Sequence, residues 1–187
     1  MKITNRKVPV AVLLFAVAAV PTYAAEKIPA VGDTAKDFEL ANLDGKKIKL
    51  STLTDSGPVV LVVLRGWPGY QCPICSRQFG EFLGKADELK KAGAKAAFVY
   101  PGPPDALTTH AKDFFKNRTI PENFTLFVDP DYTFTNAYGL RWDARAETAY
   151  PSTFVLDSKR KVLFAKTSKT HGNRAKIADV LKALPPK

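Results

Sequence analysis

Six aliphatic residues in a row, Val59 to Leu64, constrain this chain more than any other stretch. A half-exposed strand alternates polar and apolar side chains, whereas an unbroken run this short reads as a strand covered on both faces. Cover on both faces means helices on either side of a sheet, and so an α/β architecture. The residues that follow narrow the reading further. Arg65-Gly66-Trp67-Pro68-Gly69-Tyr70-Gln71 leads into Cys72-Pro73-Ile74-Cys75, after which Phe79, Phe82, Leu83, Ala86 and Leu89 recur at helical spacing. The cysteine pair therefore stands at a strand–loop–helix junction, on the first turn of the helix.

These are the only two cysteines in the chain. Cys-x-x-Cys in this setting reads as a redox dithiol. Only a thiolate is nucleophilic, and a free cysteine has a pKa of about 8.5. A helix N-terminus offers unpaired N–H groups and a partial positive charge, which favour an anion there. One helical turn brings two sulfurs within bridging reach, and Pro73 suits the first helical position because it needs no N–H there. A purely structural disulfide closing so small a loop would gain little chain-entropy stabilisation. A zinc site would need a second pair of ligands, and no further cysteine exists to supply it.

The N-terminus has the pattern of an export signal. Met1 to Lys7 is basic, Val8 to Val20 is apolar but short for a membrane span, and Pro21-Thr22-Tyr23-Ala24-Ala25 offers small residues for cleavage. Residues 1–24 are expected to be a signal peptide cut after Ala24, leaving residues 25–187 as one redoxin domain. The mature protein is expected to be exported, to the periplasm or the medium, with no stable membrane anchor. The leader holds three basic residues and no acidic one, so the formal charge of +10 falls to +7 on cleavage. The remaining cations are scattered and no nucleic-acid motif accompanies them, so they read as a solvated surface rather than a nucleic-acid interface. A dithiol outside the cytosol is readily oxidised, and needs either a dedicated reductant or an oxidising role.

Along the rest of the chain, Asp37 to Leu40 reads as a strand and Asn42-Leu43-Asp44-Gly45 as a hairpin turn into Lys46–Leu50. Ser51 to Gly57 reads as a turn. The helix behind Cys75 is expected to run to about Lys91, with Gly93 as its stop. Ala96–Tyr100 is the next strand, broken at Pro101-Gly102-Pro103-Pro104. Asp105 then caps a helix to about Asn117 that turns Leu107, Ala111 and Phe114 or Phe115 inward. Phe124–Val128 is a strand, and a short helix ends at Tyr138-Gly139. Asp129 and Asp131, flanking Pro130, read as turn and cap residues rather than an acid–base pair. Pro151–Leu156 and Val162–Lys166 form a strand pair, and Lys176–Leu184 closes the chain as an amphipathic helix. The sum is a three-layer α/β/α sandwich with a central mixed sheet.

Strand, Cys-Pro-Ile-Cys on a helix, and Tyr150-Pro151-Ser152-Thr153-Phe154 before a late strand resemble the thioredoxin fold. Val31-Gly32-Asp33 with Asp37-Phe38, together with Phe127-Val128-Asp129-Pro130-Asp131 and Ala137-Tyr138-Gly139, resemble more narrowly its peroxiredoxin branch (alkyl hydroperoxide reductase C/thiol-specific antioxidant). Members of that branch show Pro-x-x-x-Thr/Ser-x-x-Cys. Here Pro68-Gly69-Tyr70-Gln71-Cys72-Pro73-Ile74-Cys75 keeps the spacing, with Cys72 where the hydroxyl residue belongs. On that register Cys75 resembles the peroxidatic cysteine, and Cys72 would resolve its sulfenic acid. The family's arginine, three residues before the aromatic of the late strand, is replaced by Pro151. Thioredoxin-like enzymes hold a cis-proline there, beside the disulfide, so a cis Tyr150–Pro151 bond is one expectation. Arg65, Arg141 and Arg145 are the candidate substitutes for the missing arginine.

The resemblance implies a thiol-based oxidoreductase with Cys72 and Cys75 as its redox pair. It supports two mechanisms. In one, Cys75 attacks a peroxide, Arg65 or a backbone N–H steadies the developing charge, and Cys72 closes the disulfide. In the other, Cys72 attacks a protein disulfide and Cys75 resolves the mixed disulfide. Both need an external thiol reductant, either a thioredoxin-like protein or a membrane electron donor, and neither requires a metal, flavin or nicotinamide. Trp67 and Tyr70 flank the pair as shields or packing residues, and Ser76 and Thr153 are groove residues. A third reading is copper delivery on the same fold, with two cysteines and His110 or His171 as ligands.

Overall fold

The computed structural model describes residues 27–186. The expected leader and its cleavage point at Ala24 lie outside the described residues. Thirteen elements follow one another: β1 (Glu39–Asn42), β2 (Lys47–Lys49), α1 (Leu50–Thr54), β3 (Val59–Val63), α2 (Pro73–Leu83), α3 (Ala86–Lys91), β4 (Lys95–Gly102), α4 (Leu107–Phe115), β5 (Phe124–Pro130), α5 (Thr133–Ala137), β6 (Ser152–Leu156), β7 (Val162–Thr167) and α6 (Ile177–Lys182).

The aliphatic run is the middle of the molecule, as its composition predicts. Every residue of β3 is buried, in a seven-stranded sheet of order β2-β1-β5-β4-β3-β6-β7. β3 pairs in parallel with β4 and antiparallel with β6, and β4 pairs in parallel with β5, so the sheet is mixed. Side chains alternate across it. Val60, Val62 and Leu64 face one layer with Phe79 and Phe82 of α2, Phe114 and Phe115 of α4 and Val180 of α6. Val59, Leu61 and Val63 face the other, with Leu50 and Leu53 of α1 and Phe134 of α5. This is the three-layer α/β/α sandwich.

Several local expectations need correction. The expected strand stops at Lys49 and the expected turn from Ser51 opens with a helix, Leu50–Thr54, because Leu50 and Leu53 seat it against the sheet. The long helix is two helices. The chain leaves the α-helical path at Lys85, between α2 and α3, just after Gly80 and Gly84 lower the intrinsic preference for continuing. Gly93 does end α3, with a positive φ of 72° and the Ala94 N–H bonded back to the Leu89 carbonyl. Asp105 does not cap α4; its N-cap is Ala106, in the left-handed region.

β4 also runs past Tyr100. Pro101 and Gly102 stay in register with Asp129 and Pro130. Pro101 lacks an N–H, but its carbonyl accepts the Trp67 N–H at 2.9 Å. The loop leaving β3 is thereby pinned to the end of β4. Gly66 makes this approach with φ +73°, and a Cβ there would lie 1.8 Å from the Pro101 oxygen.

Asp129 behaves as a cap. It is buried and accepts from the backbone N–H groups of Phe134 and Thr135 and from the Thr135 hydroxyl.

Candidate active site

The dithiol is built by α2. Cys72 is the N-cap, with φ −78° and ψ 113°, and Pro73 occupies the first helical turn. The Cys72 sulfur accepts the Cys75 N–H at 3.4 Å, the bond an N-cap side chain makes to the third helical residue. Cys75, Phe79 and Phe82 lie at i, i+4 and i+7, so the row that anchors α2 in the core also carries the Cys75 sulfur inward. Both residues are free cysteines, with 3 % of Cys72 and 1 % of Cys75 exposed.

The two sulfurs have opposite electrostatic settings. The hydrogen bond from the Cys75 thiol brings the Cys72 pKa down to about 5, helped by the N–H groups of Cys75 and Ile74 and the charge of Arg174, with burial opposing. That same hydrogen bond holds the proton on Cys75, and burial raises it further, against Arg174 and the Arg65 N–H. Both shifts run the same way, favouring the negative charge on Cys72 and the proton on Cys75.

Arg65 is 2 % exposed, and its side chain does not reach the sulfurs. Its Nε donates to Glu147 at 2.6 Å, Nη1 to the Tyr70 hydroxyl at 2.6 Å and Nη2 to the Ala146 carbonyl at 2.6 Å. Only its backbone N–H meets Cys75, at 3.3 Å from the sulfur. Arg65 thus ties the loop bearing Tyr70 to the segment at 146–147. Glu147 also binds His171 Nε2, at 2.8 Å. Arg141 donates to the carbonyls of Trp142 and Thr148, and Arg145 is exposed. None of the three expected arginines places its guanidinium on sulfur.

Arg174 does, and sequence reasoning missed it. Its Nη2 lies 3.5 Å from Cys75 Sγ, while Nη1 donates to Gln78 and Nε to the His171 carbonyl. Arg174 sits in an irregular loop with no periodicity, far along the chain, so no sequence signal marks it.

Trp67 stacks on His110 with ring centroids 3.7 Å apart, and Gln71 is held between the Tyr100 hydroxyl and the His110 carbonyl. Tyr70 is 47 % exposed at the mouth of the loop. Pro68 lines a 330 Å³ cavity with Trp67, Pro103, Tyr132 and Glu147. Trp142 faces His171, with ring centroids 5.3 Å apart. Ser76 binds Arg118, and Thr153 is buried in β6 opposite Val62.

The Tyr150–Pro151 bond is trans, since no cis peptide occurs among the described residues. The chain is already paired in its extended course there. Tyr150 N–H donates to Leu140, and the Pro151 carbonyl accepts from Ser168. The copper set is not assembled either: among the described residues no three donors of the His, Cys, Asp and Glu types cluster. His110 lies on Trp67 and His171 on Glu147 instead. No described helix is long and apolar enough to cross a membrane.

Residues 31–165 match the AhpC/TSA family model. A Mycobacterium tuberculosis protein described as a peroxiredoxin, Rv1608c, is 30% identical over 134 residues, covering 71% of this chain and 81% of its own length. Among solved structures, peroxidoxin BcpB from Mycobacterium tuberculosis superimposes with a TM-score of 0.64 at 25% identity, over 82% of this chain and 94% of its own. A Chlorobium tepidum protein described as thiol:disulfide interchange protein DsbE gives 0.61 at 27% identity, over 83% and 99%. The nearly buried dithiol on the first turn of α2, the mixed sheet beneath it and these likenesses agree: the chain belongs to the AhpC/TSA family, as a thiol-based oxidoreductase on the thioredoxin fold.

Proposed function

We propose that this protein reduces peroxides through the Cys72/Cys75 couple, with Cys72 as the attacking sulfur and Cys75 as the resolving one. The observation that carries the reading is the Cys72 sulfur at the N-cap of α2, where it accepts the Cys75 N–H. The Cys72 thiolate attacks the terminal peroxide oxygen, the O–O bond breaks, and the departing alkoxide or hydroxide takes up a proton. Cys72 becomes a sulfenic acid. Cys75 then attacks the Cys72 sulfur, hydroxide leaves as water, and a disulfide remains. An external thiol reductant restores the pair. This assignment exchanges the roles that the resemblance gives the two cysteines.

A small oxidant suits the surroundings. With 3 % exposure, Cys72 offers a narrow approach. The Tyr150 N–H, which would edge a groove for an extended peptide, is already bonded to Leu140. Disulfide exchange through the same Cys72 is the second reading, favoured by the likeness to the DsbE-type protein.

Stopped-flow oxidation of the reduced protein by hydrogen peroxide tests the choice, with mass spectrometry of the products. Fast oxidation that persists in Cys75→Ser, stops at a sulfenic acid on Cys72 and vanishes in Cys72→Ser is the expected result. Oxidation no faster than a free thiol, beside rapid exchange with a protein disulfide through Cys72, establishes the second reading. The leader at residues 1–24 supports export to the periplasm or the medium. An exported protein whose N-terminal sequence begins at Ala25 is the outcome expected on that point.

A further inference from the structure

The oxidation cycle makes Cys75 the harder sulfur to ionise. It is the more buried of the two, and in the reduced pair it carries the proton. Yet it must become a thiolate twice per turnover, once to resolve the sulfenic acid and once as the group expelled when the disulfide is opened. Some positive group has to stand beside it. The Arg65 guanidinium is committed to Glu147, and that of Arg118 to Ser76.

Arg174 stands there. It lies in the loop between β7 and α6, and Nη2 is 3.5 Å from the Cys75 sulfur. Its other nitrogens are fixed, Nε on the His171 carbonyl at 2.7 Å and Nη1 on Gln78 Oε1 at 3.0 Å. Gln78 is itself buried and follows Cys75 by three residues, so one face of α2 carries both the sulfur and the amide that aims the guanidinium at it. A planar guanidinium oriented in advance loses little freedom when it binds sulfur.

We propose that Arg174 is a catalytic residue of the dithiol, stabilising the Cys75 thiolate in both halves of the cycle; this rests on the Cys72/Cys75 reading above. In the oxidative half, Cys72 as a neutral sulfenic acid no longer holds the proton on Cys75. The Cys75 thiolate forms against Arg174 and attacks Cys72 Sγ. The S–S bond forms, the S–O bond breaks, and hydroxide combines with the released proton as water. In the reductive half, a thiolate of the external thiol reductant attacks Cys72 Sγ. The S–S bond breaks and Cys75 leaves with the electron pair, again opposite Arg174. A second reductant thiolate displaces Cys72 as a thiolate, and Cys75 takes up a proton. The reductant meets Cys72 because it is the less buried sulfur, and the guanidinium speeds the step by lowering the cost of expelling Cys75 as a thiolate.

Cys72→Ser leaves Cys75 as the only thiol in the chain, so its titration can be followed directly by ultraviolet thiolate absorbance. Adding Arg174→Gln is expected to raise the midpoint by about 1 pH unit or more, the scale of losing an adjacent opposite charge. Arg174→Lys falls between. With both cysteines present, Arg174→Gln slows opening of the disulfide by dithiothreitol about 10-fold, which corresponds to one such unit. Gln78→Ala, which frees the guanidinium without removing its charge, shifts the midpoint the same way by less, and carries the test if Arg174→Gln does not fold. Coincident titrations in all variants, with unchanged reduction rates, would overturn the proposal. The titration and the dithiothreitol reaction use no peroxide, so a wild-type protein inert to peroxide would overturn the peroxidase reading and, with it, the oxidative half of this proposal, while the reductive half would stand.

Discussion

Arg65 and Cys75 meet through the main chain alone. The Arg65 N–H points at the Cys75 sulfur from 3.3 Å, while the guanidinium of the same residue runs away from it to Glu147. One residue therefore serves the site twice, by seating the inner sulfur and by tying down the loop that carries Trp67 and Tyr70. Its charge acts on the loop and not on the chemistry.

The Cys72 thiolate sets the pH dependence. With its pKa near 5, alkylation of the reduced protein by iodoacetamide should be level above about pH 6 and fall through a midpoint near 5, far below the ~8.5 of a free thiol. Cys75→Ala removes the largest lowering influence, so the midpoint should rise. A wild-type profile centred on the free-thiol value contradicts the placement of the charge.

Glu147 is the one carboxylate held against the buried Arg65 among the described residues. Glu147→Gln should cost about 3 kcal/mol, as when one partner of a buried ion pair is lost. Burial alone would raise the Glu147 pKa, but hydrogen bonds from Arg65 and His171 prevail and lower it. A depressed carboxylate stabilises fully above its unfolded value, about 4.3, and that contribution is lost as pH falls through the lower folded value. The gap in Tm between wild type and Glu147→Gln should accordingly close in acid. A gap that does not change with pH means that the pair contributes packing only.

Gly66 permits the loop to lie on the end of β4. Gly66→Ala adds a Cβ 1.8 Å from the Pro101 oxygen at a positive φ, and should cost ~3 kcal/mol or more. Gly69→Ala is the comparison: its φ is +112° but nothing lies within 4 Å of the added carbon, so only the backbone penalty of ~1–2 kcal/mol applies. Equal destabilisation by urea unfolding would show that contact with β4 is not what Gly66 provides.

Asp129 organises α5, in the layer opposite the dithiol helix. Asp129→Ala leaves two buried N–H groups without their acceptor and should cost about 2–3 kcal/mol. Cys72 reactivity should stay unchanged, because α5 and α2 pack on opposite faces of the sheet. A drop in alkylation rate at native temperature would show that the two layers are coupled.

The frame of the site was readable because its signals are local. Val59–Val63 has no polar residue to turn toward water, Asn42–Gly45 has the chemistry of a tight turn, and the cysteine spacing matches one helical turn. What escaped depends on residues distant in sequence. Arg174 reaches Cys75 across 99 positions, and Glu147 reaches Arg65 across 82, with no pattern to link either pair. Pro101-Gly102-Pro103-Pro104 has the composition of a break, yet Pro101 stays in the sheet and its carbonyl receives the Trp67 N–H. Ser51 to Gly57 has the look of a turn, yet Leu50 and Leu53 draw Leu50–Thr54 into a helix. At Pro151 the resemblance implies a cis bond, whereas the bond is trans and the preceding Tyr150 N–H is taken by the Leu140 carbonyl.

The chain has two tryptophans and two histidines, and each indole faces one imidazole, Trp67 with His110 and Trp142 with His171. An indole emits less when a protonated imidazole lies against it. The protein therefore carries two optical reporters of its own. One sits in the loop beside Cys72, and the other on the histidine that joins Glu147 to the Arg174 loop. Replacing either tryptophan by phenylalanine isolates the other signal, so motions on the two flanks of the dithiol can be timed separately without attaching a dye.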